Sequence, residues 1–136
     1  MRKELYNKIR NALLQLGDGE IAHIDLWNRN VEFIEQETAW ARPAVFIEFE
    51  PVQWISIQPG VQYRAEARVK LHIVTDWVEN GTSVFDLPEK IHILLAGLEG
   101  ETFTDFTLAE SHTNHNHEDI IESIEVYSFV AFMNVE

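Results

Sequence analysis

Apolar and charged residues alternate between residues 63 and 75, and this alternation is the most informative pattern in the sequence. The apolar positions are Tyr63, Ala65, Ala67, Val69, Leu71 and Ile73, and the charged positions are Arg64, Glu66, Arg68, Lys70 and His72. A period of two predicts a long strand with one buried face and one charged face. Such a strand is typical of an antiparallel sheet covered by helices on one side. Its charged face is then free to meet solvent or another copy of the protein.

Two other segments have the spacing of amphipathic helices. Residues 3–16 carry an apolar stripe that ends at Gly17, and a second stripe runs from Asp86, the predicted N-cap, to Gly97 or Gly100. Strands are predicted at 21–27, at 44–50 with a continuation over 52–57, at 103–110 and at 120–133. Residues 28–42 and 111–119 are predicted to be loops. This order predicts one domain over residues 1–136 with an α+β fold, in which two amphipathic helices pack on one face of a mainly antiparallel sheet of four to five strands.

Composition and charge restrict the function. The 136 residues include 46% hydrophobic residues and no cysteine, so a disulfide framework and a thiolate metal site are both excluded. No secretory signal or membrane-spanning segment is evident, and we expect a cytoplasmic protein without membrane contact. The formal net charge of -13 disfavours direct binding to nucleic acid. The first ten residues nevertheless carry +3, which suits contact with an acidic patch on a neighbour or, alternatively, a solvated basic helix face.

Histidines and carboxylates provide the candidates for chemistry. His112, His115 and His117 lie close to Glu118 and Asp119, and this run has ligands suited to zinc. A polar loop between two strands has the same composition, and we favour that interpretation. His72 is predicted to be a surface or boundary residue rather than a metal ligand, and the paired carboxylates Glu48 and Glu50 are predicted to lie on a solvated face. No serine elbow or phosphate-binding glycine loop occurs, so we expect neither catalytic residues nor a cofactor.

The order and lengths of these elements resemble those of phage tail-terminator proteins, the tail-completion factors of the minor tail protein U type. The resemblance rests on the opening helix at residues 1–10, the strands at 43–48 and 64–75, the helix at 91–95 and the late strand at 127–129. It implies a structural protein from a prophage or related element that has no catalytic residues. Such a protein forms a ring, commonly a hexamer, that ends the tail tube and joins it to the head connector. Its partners would be itself, tail-tube proteins and head-connector proteins, and its location would include the virion.

Three hypotheses follow from the sequence. In the first, this assembly protein contacts an acidic neighbour through Arg2, Lys3, Lys8 and Arg10, while Arg64, Arg68 and Lys70 line a ring surface. In the second, the chain is an acidic binding module that sequesters a basic partner or imitates DNA. In the third, it is a metal-dependent enzyme centred on His112, His115 and His117.

Overall fold

The structure is a computed structural model that describes residues 1–17, 19–27, 41–77, 81–114 and 119–135. Its helices are α1 (Arg2–Leu14) and α2 (Asp86–Leu95), and a short 3-10 helix at Thr82–Phe85 precedes α2. Its strands are β1 (His23–Leu26), β2 (Ala44–Phe49), β3 (Ile55–Gln58), β4 (Gln62–Asp76), β5 (Phe103–Asn114) and β6 (Ile120–Asn134). The predicted α+β class is confirmed.

The strands form a mixed but mainly antiparallel sheet, and the predicted number of four to five strands was too low. Six strands are present in the described residues, in the order β1-β2-β4-β6-β5, and β3 pairs with β4. β1 runs parallel to β2, and the other pairs are antiparallel. The parallel pair was missed because it requires a long connection instead of a hairpin, and apolar alternation carries no information on strand direction.

β4 and β6 form the centre of the sheet. They pair without interruption from Gln62 opposite Asn134 to Asp76 opposite Ile120. β2 and β5 flank this pair, so β6 is an interior strand, as its apolar character on both faces predicted. The predicted continuation of the second strand past Pro51 is β3, which pairs with β4 beyond the point where β2 ends.

Apolar residues of one parity of β4 lie in the main core, as the alternation predicts. Val69, Leu71 and Ile73 are at most 1% exposed, and they belong to the same hydrophobic cluster as the buried residues of α1 and α2. The opposite parity is not uniformly charged, because Val74 forms a second small cluster there with Ala44, Phe46 and Ile120.

Two local predictions were wrong. Ser111–Asn114 belong to β5 instead of a loop, because they pair with β6 from Glu125 back to Glu122. Two register shifts interrupt β5 before that point, and Asp105 has a positive φ of 58° beside the first. At the second helix, Asp86 is the first helical residue rather than the N-cap, and Phe85 occupies the N-cap position.

Candidate assembly surfaces

The predicted basic patch lies on the exposed side of α1. Arg2, Lys3, Lys8 and Arg10 are all exposed, and none forms an ion pair within 4 Å with another described residue. α1 lies in this position because Leu5, Ile9 and Leu13 are buried in the main core. The part of the chain that the structure describes therefore does not neutralise these four basic side chains.

A carboxylate fixes the first turn of α1 to the loop before β5. Glu4 accepts hydrogen bonds from the Thr102 hydroxyl at 2.7 Å, from the Thr102 backbone N–H at 2.9 Å and from the Glu101 backbone N–H at 3.1 Å. The Thr102 hydroxyl and backbone N–H lower the pKa of the Glu4 carboxyl group. The orientation of the basic helix is thus determined by contacts with a distant part of the chain.

We call the side of the sheet that carries Arg68, Lys70 and His72 the polar face. Arg68 Nη2 lies 3.2 Å from Glu110 Oε2, and Lys70 Nζ lies 3.6 Å from Glu50 Oε1. Arg68 Nε lies 3.7 Å from Glu50, too far for a hydrogen bond, and this buried atom has no hydrogen-bond partner among the described residues. Arg68 and Lys70 are therefore neutralised within the chain and do not form a free basic surface.

Arg64 is the member of the predicted ring surface that stays exposed. It lies near the end of β4, and neither it nor Glu66 forms an ion pair within 4 Å with the other described residues. A shallow groove of about 580 Å³ begins beside Glu66 and Arg68 and is bounded by Asp105 and Thr107 of β5. Arg64, Arg68 and Lys70, which were predicted to line one ring surface together, thus lie in different environments.

His72 is buried on the polar face, and the prediction that it is a surface or boundary residue was wrong. Its Nδ1 is 2.8 Å from Glu122 Oε2 and its Nε2 is 2.7 Å from Glu48 Oε1. The Trp27 ring stacks on the imidazole at a centroid distance of 3.7 Å. A neutral imidazole carries only one N–H, so hydrogen bonds to both carboxyl groups require a proton on each ring nitrogen or on a carboxyl group.

The cluster around His72 extends across four strands, from Glu48 of β2 to Asn114 of β5. Asn114 Nδ2 of β5 donates a 3.0 Å hydrogen bond to Glu122 Oε1 of β6, and Glu122 in turn contacts His72 of β4. A partial signal of this cluster is present in the sequence, because Glu48 and Glu50 lie on the same face of the second predicted strand. The interpretation of that segment as a solvated face was wrong, since both carboxylates bind cations or imidazole of β4.

The structure describes one of the three candidate metal ligands. His112 is exposed on β5, and its Nε2 is 3.0 Å from Glu110 Oε2. That hydrogen bond and the nearby Arg68 lower the pKa of the Glu110 carboxyl group. His115 and His117 lie outside the described residues. Within the described ranges, no group of three His, Asp or Glu side chains has the arrangement of a metal site.

Comparison with known proteins finds a similar fold among solved structures but no match by sequence. No family model matches the sequence, and no curated protein matches it. The structure is similar to a chain of the virion of the native gene transfer agent (GTA) particle, with a TM-score of 0.59 and 9% sequence identity over 95% of each chain. At this identity, the similarity establishes a shared fold. Neither α1 nor α2, the helices in the described ranges, has the length and apolar character needed to cross a membrane.

Proposed function

We propose that this protein is a structural component of a phage-like virion, of the tail-terminator type. The observation that carries the proposal is the fold similarity to a chain of a GTA virion, which extends over 95% of both chains. A similarity over full length indicates that the whole fold, and not a common substructure, is shared. The order of elements in the sequence supports the same assignment independently of the structure.

The proposed role is non-catalytic assembly into a ring that ends a tail tube and joins it to a head connector. The surface chemistry supports this role, because the exposed cations of α1 lie on a body of high negative charge. Such a charge distribution steers two different surfaces of neighbouring molecules into contact. A contact between different surfaces closes into a ring when the rotation between neighbours permits it.

We further propose that both helices cover one face of the sheet and leave the polar face toward neighbouring molecules. Supporting this, buried residues of both helices share one cluster with Val69, Leu71 and Ile73 of β4. Arg68 and Lys70 then hold the polar face in shape through Glu50 and Glu110, while α1 and Arg64 supply the charges that contact partners.

Deleting the gene from its parent element tests the proposal. Particles are induced with and without the gene, purified, and studied by mass spectrometry and electron microscopy. We expect the chain in intact particles, and we expect its loss to leave heads unjoined from tails or tails of uncontrolled length. Intact particles of normal length in the deletion strain would contradict the assignment.

The contribution of α1 has its own test. In particles carrying the Lys3→Glu and Arg10→Glu substitutions, we expect the number of joined particles to fall, because the acidic neighbour is repelled. Lys90→Glu on α2 is the matched control, since Lys90 is also exposed but pairs with Glu20 at 3.5 Å. Equal numbers of joined particles for both variants would show that α1 does not contact a partner.

A further inference from the structure

Two carboxylates line the groove on the polar face without an ion pair to the rest of the described chain. Glu66 of β4 and Asp105 of β5 are both exposed, and neither has a cation of another described residue within 4 Å. Arg68 is the cation of this groove, but Glu50 and Glu110 already pair with it. The groove therefore presents two carboxylates that its own walls do not neutralise.

The other polar side chains of the groove are hydroxyls. Thr107 and Ser128 line it, and their hydroxyl oxygens are 3.2 Å apart. Hydroxyl and carboxylate oxygens both accept hydrogen bonds from ammonium and guanidinium groups, and such bonds to charged donors are strong. The chemistry of the groove thus suits basic side chains.

The strand register sets the spacing of the two carboxylates. Glu66 lies opposite Val130 of β6, and Thr104, the residue before Asp105, lies opposite Val130 on the other side. Because neighbouring strands are about 4.8 Å apart, Glu66 and Asp105 lie on strands about 10 Å apart. An occupant that neutralises both carboxylates must carry two cations at a similar spacing.

α1 carries two cations with this spacing. Lys3 and Arg10 are seven residues apart, which is close to two helical turns, so they lie on the same side of α1 and about 10 Å apart. Both are exposed, and neither forms an ion pair within 4 Å with another described residue. The chain thus has two cations and two carboxylates that match in number and spacing.

α1 and the groove belong to opposite sides of the sheet in the arrangement proposed above. α1 buries Leu5 and Ile9 in the cluster that contains Val69 and Leu71 of β4. Glu66 has the opposite parity of β4, and successive residues of a strand point to opposite faces. Because the sheet separates them, the cations of α1 meet the carboxylates of the groove only when two molecules come together.

We propose that Lys3 and Arg10 of one copy of this chain bind Glu66 and Asp105 in the groove of a second copy. The occupant follows from complementary charge at matched spacing, since one chain carries both sets on different surfaces. Contact between different surfaces leaves each copy with one free helix and one free groove until a ring closes. This inference rests on the proposed function, and it assigns the surface that receives α1.

The test is molar mass as a function of concentration, measured by size-exclusion chromatography with light scattering. The helix variant carries Lys3→Glu and Arg10→Glu. The groove variant carries Glu66→Lys and Asp105→Asn, because asparagine tolerates the positive φ of 58° at this position. We expect the wild type to have a mass that is a multiple of 15.8 kDa. Each variant alone should need a concentration about a hundredfold higher for the same association, since each of two lost ion pairs weakens binding about tenfold.

Mixing the two variants is the decisive measurement. The helix variant keeps its groove and the groove variant keeps its α1, so their mixture can form the intact contact. We expect a complex of at least two chains at concentrations where each variant alone has a mass of 15.8 kDa, and native mass spectrometry should find both variants in it. Such a complex also shows that both variants are folded.

Glu89→Lys combined with Glu99→Gln is the matched control. It changes the net charge by the same amount as the groove variant, and both residues are exposed without an ion pair among the described residues. We expect the control to associate like the wild type. A loss as large as that of the groove variant would show that net charge governs association, and it would overturn the inference.

The remaining outcomes separate this inference from the proposed function. A wild-type mass of 15.8 kDa at every concentration overturns the inference. Wild-type association of either variant alone also overturns it, and so does a mixture that forms no complex. In each case, the presence of the chain in particles and the phenotype of the gene deletion still decide the proposed function.

Discussion

Replacing Glu122 by alanine is the most informative change for the buried part of the polar face. Glu122 is 3% exposed, its Oε2 forms a 2.8 Å hydrogen bond with Nδ1 of His72, and its Oε1 accepts a 3.0 Å hydrogen bond from Asn114. The substitution removes a partner from the buried His72 imidazole and from the partly buried Asn114 amide. We therefore expect a large loss of stability rather than the small change typical of a surface carboxylate.

The magnitude follows from those two contacts. A hydrogen bond to a charged group contributes about 1.5–3 kcal/mol, and two of them give about 3–6 kcal/mol. Removing one partner of a buried ion pair costs about 3–5 kcal/mol by mutational experience. We expect the Glu122→Ala variant to lose about 3–5 kcal/mol of unfolding free energy, a large fraction of the stability of a single domain.

Urea unfolding followed by tryptophan fluorescence measures this change, since Trp27 stacks on His72 and reports on the cluster. Glu20→Ala is the matched control, because Glu20 is 41% exposed and contacts Lys90 at 3.5 Å. The control should lose less than about 1 kcal/mol. A double-mutant cycle with His72→Phe should give a coupling of about 0.5–3 kcal/mol. If Glu122→Ala costs no more than the control, the cluster does not stabilise the fold and the reasoning is refuted.

Three further predictions concern the surfaces around this cluster. Glu4→Gln should destabilise the fold at neutral pH, by about 1–2 kcal/mol, because Glu4 accepts three hydrogen bonds. The folded-state pKa of Glu4 is lowered from its ordinary value of 4.5. The loss of unfolding free energy caused by Glu4→Gln, measured by urea unfolding, should therefore have its full size above pH 4.5. This loss should vanish as the pH falls through the folded-state pKa. Gly100→Ala should lower the thermal midpoint, since a Cβ would lie 2.5 Å from Glu4 Oε1, and an unchanged midpoint would contradict this close approach. Arg68→Glu should lower the thermal midpoint, because the new carboxylate is repelled by Glu50 and Glu110. Arg64→Glu is the control and should leave the midpoint unchanged. Equal midpoints for the two variants would show that the ion pairs of Arg68 do not stabilise the fold.

Elements with strong internal periodicity were predictable from the sequence. The alternation along β4 and the helical spacing of Leu5, Ile9 and Leu13 reflect geometry that each segment has by itself. The basic positions of α1 are exposed for the same reason, because they lie outside the buried stripe. These features need no information about distant parts of the chain.

Features that depend on contacts between residues far apart in the sequence were not predictable from local periodicity. Ser111–Asn114 look like a polar loop in sequence, and only pairing with β6 makes them a strand. His72 looked like an exposed residue because its two carboxylate partners are 24 and 50 residues away. An alternating pattern specifies which side of a strand a residue faces, but it does not specify what lies on the neighbouring strands.

Two uncharged segments of the chain, residues 51–63 and 126–135, show both contributions in one place. The sequence by itself determined that residues 51–63 and 126–135 lack charge, and that the rest of the chain is strongly acidic. Only the tertiary structure decided that the two segments meet, through the register of β4 and β6 and the turn at Gly60. Composition is a property of each segment, whereas a surface exists only after backbone hydrogen bonds have aligned the strands and the core has fixed which side chains remain outside.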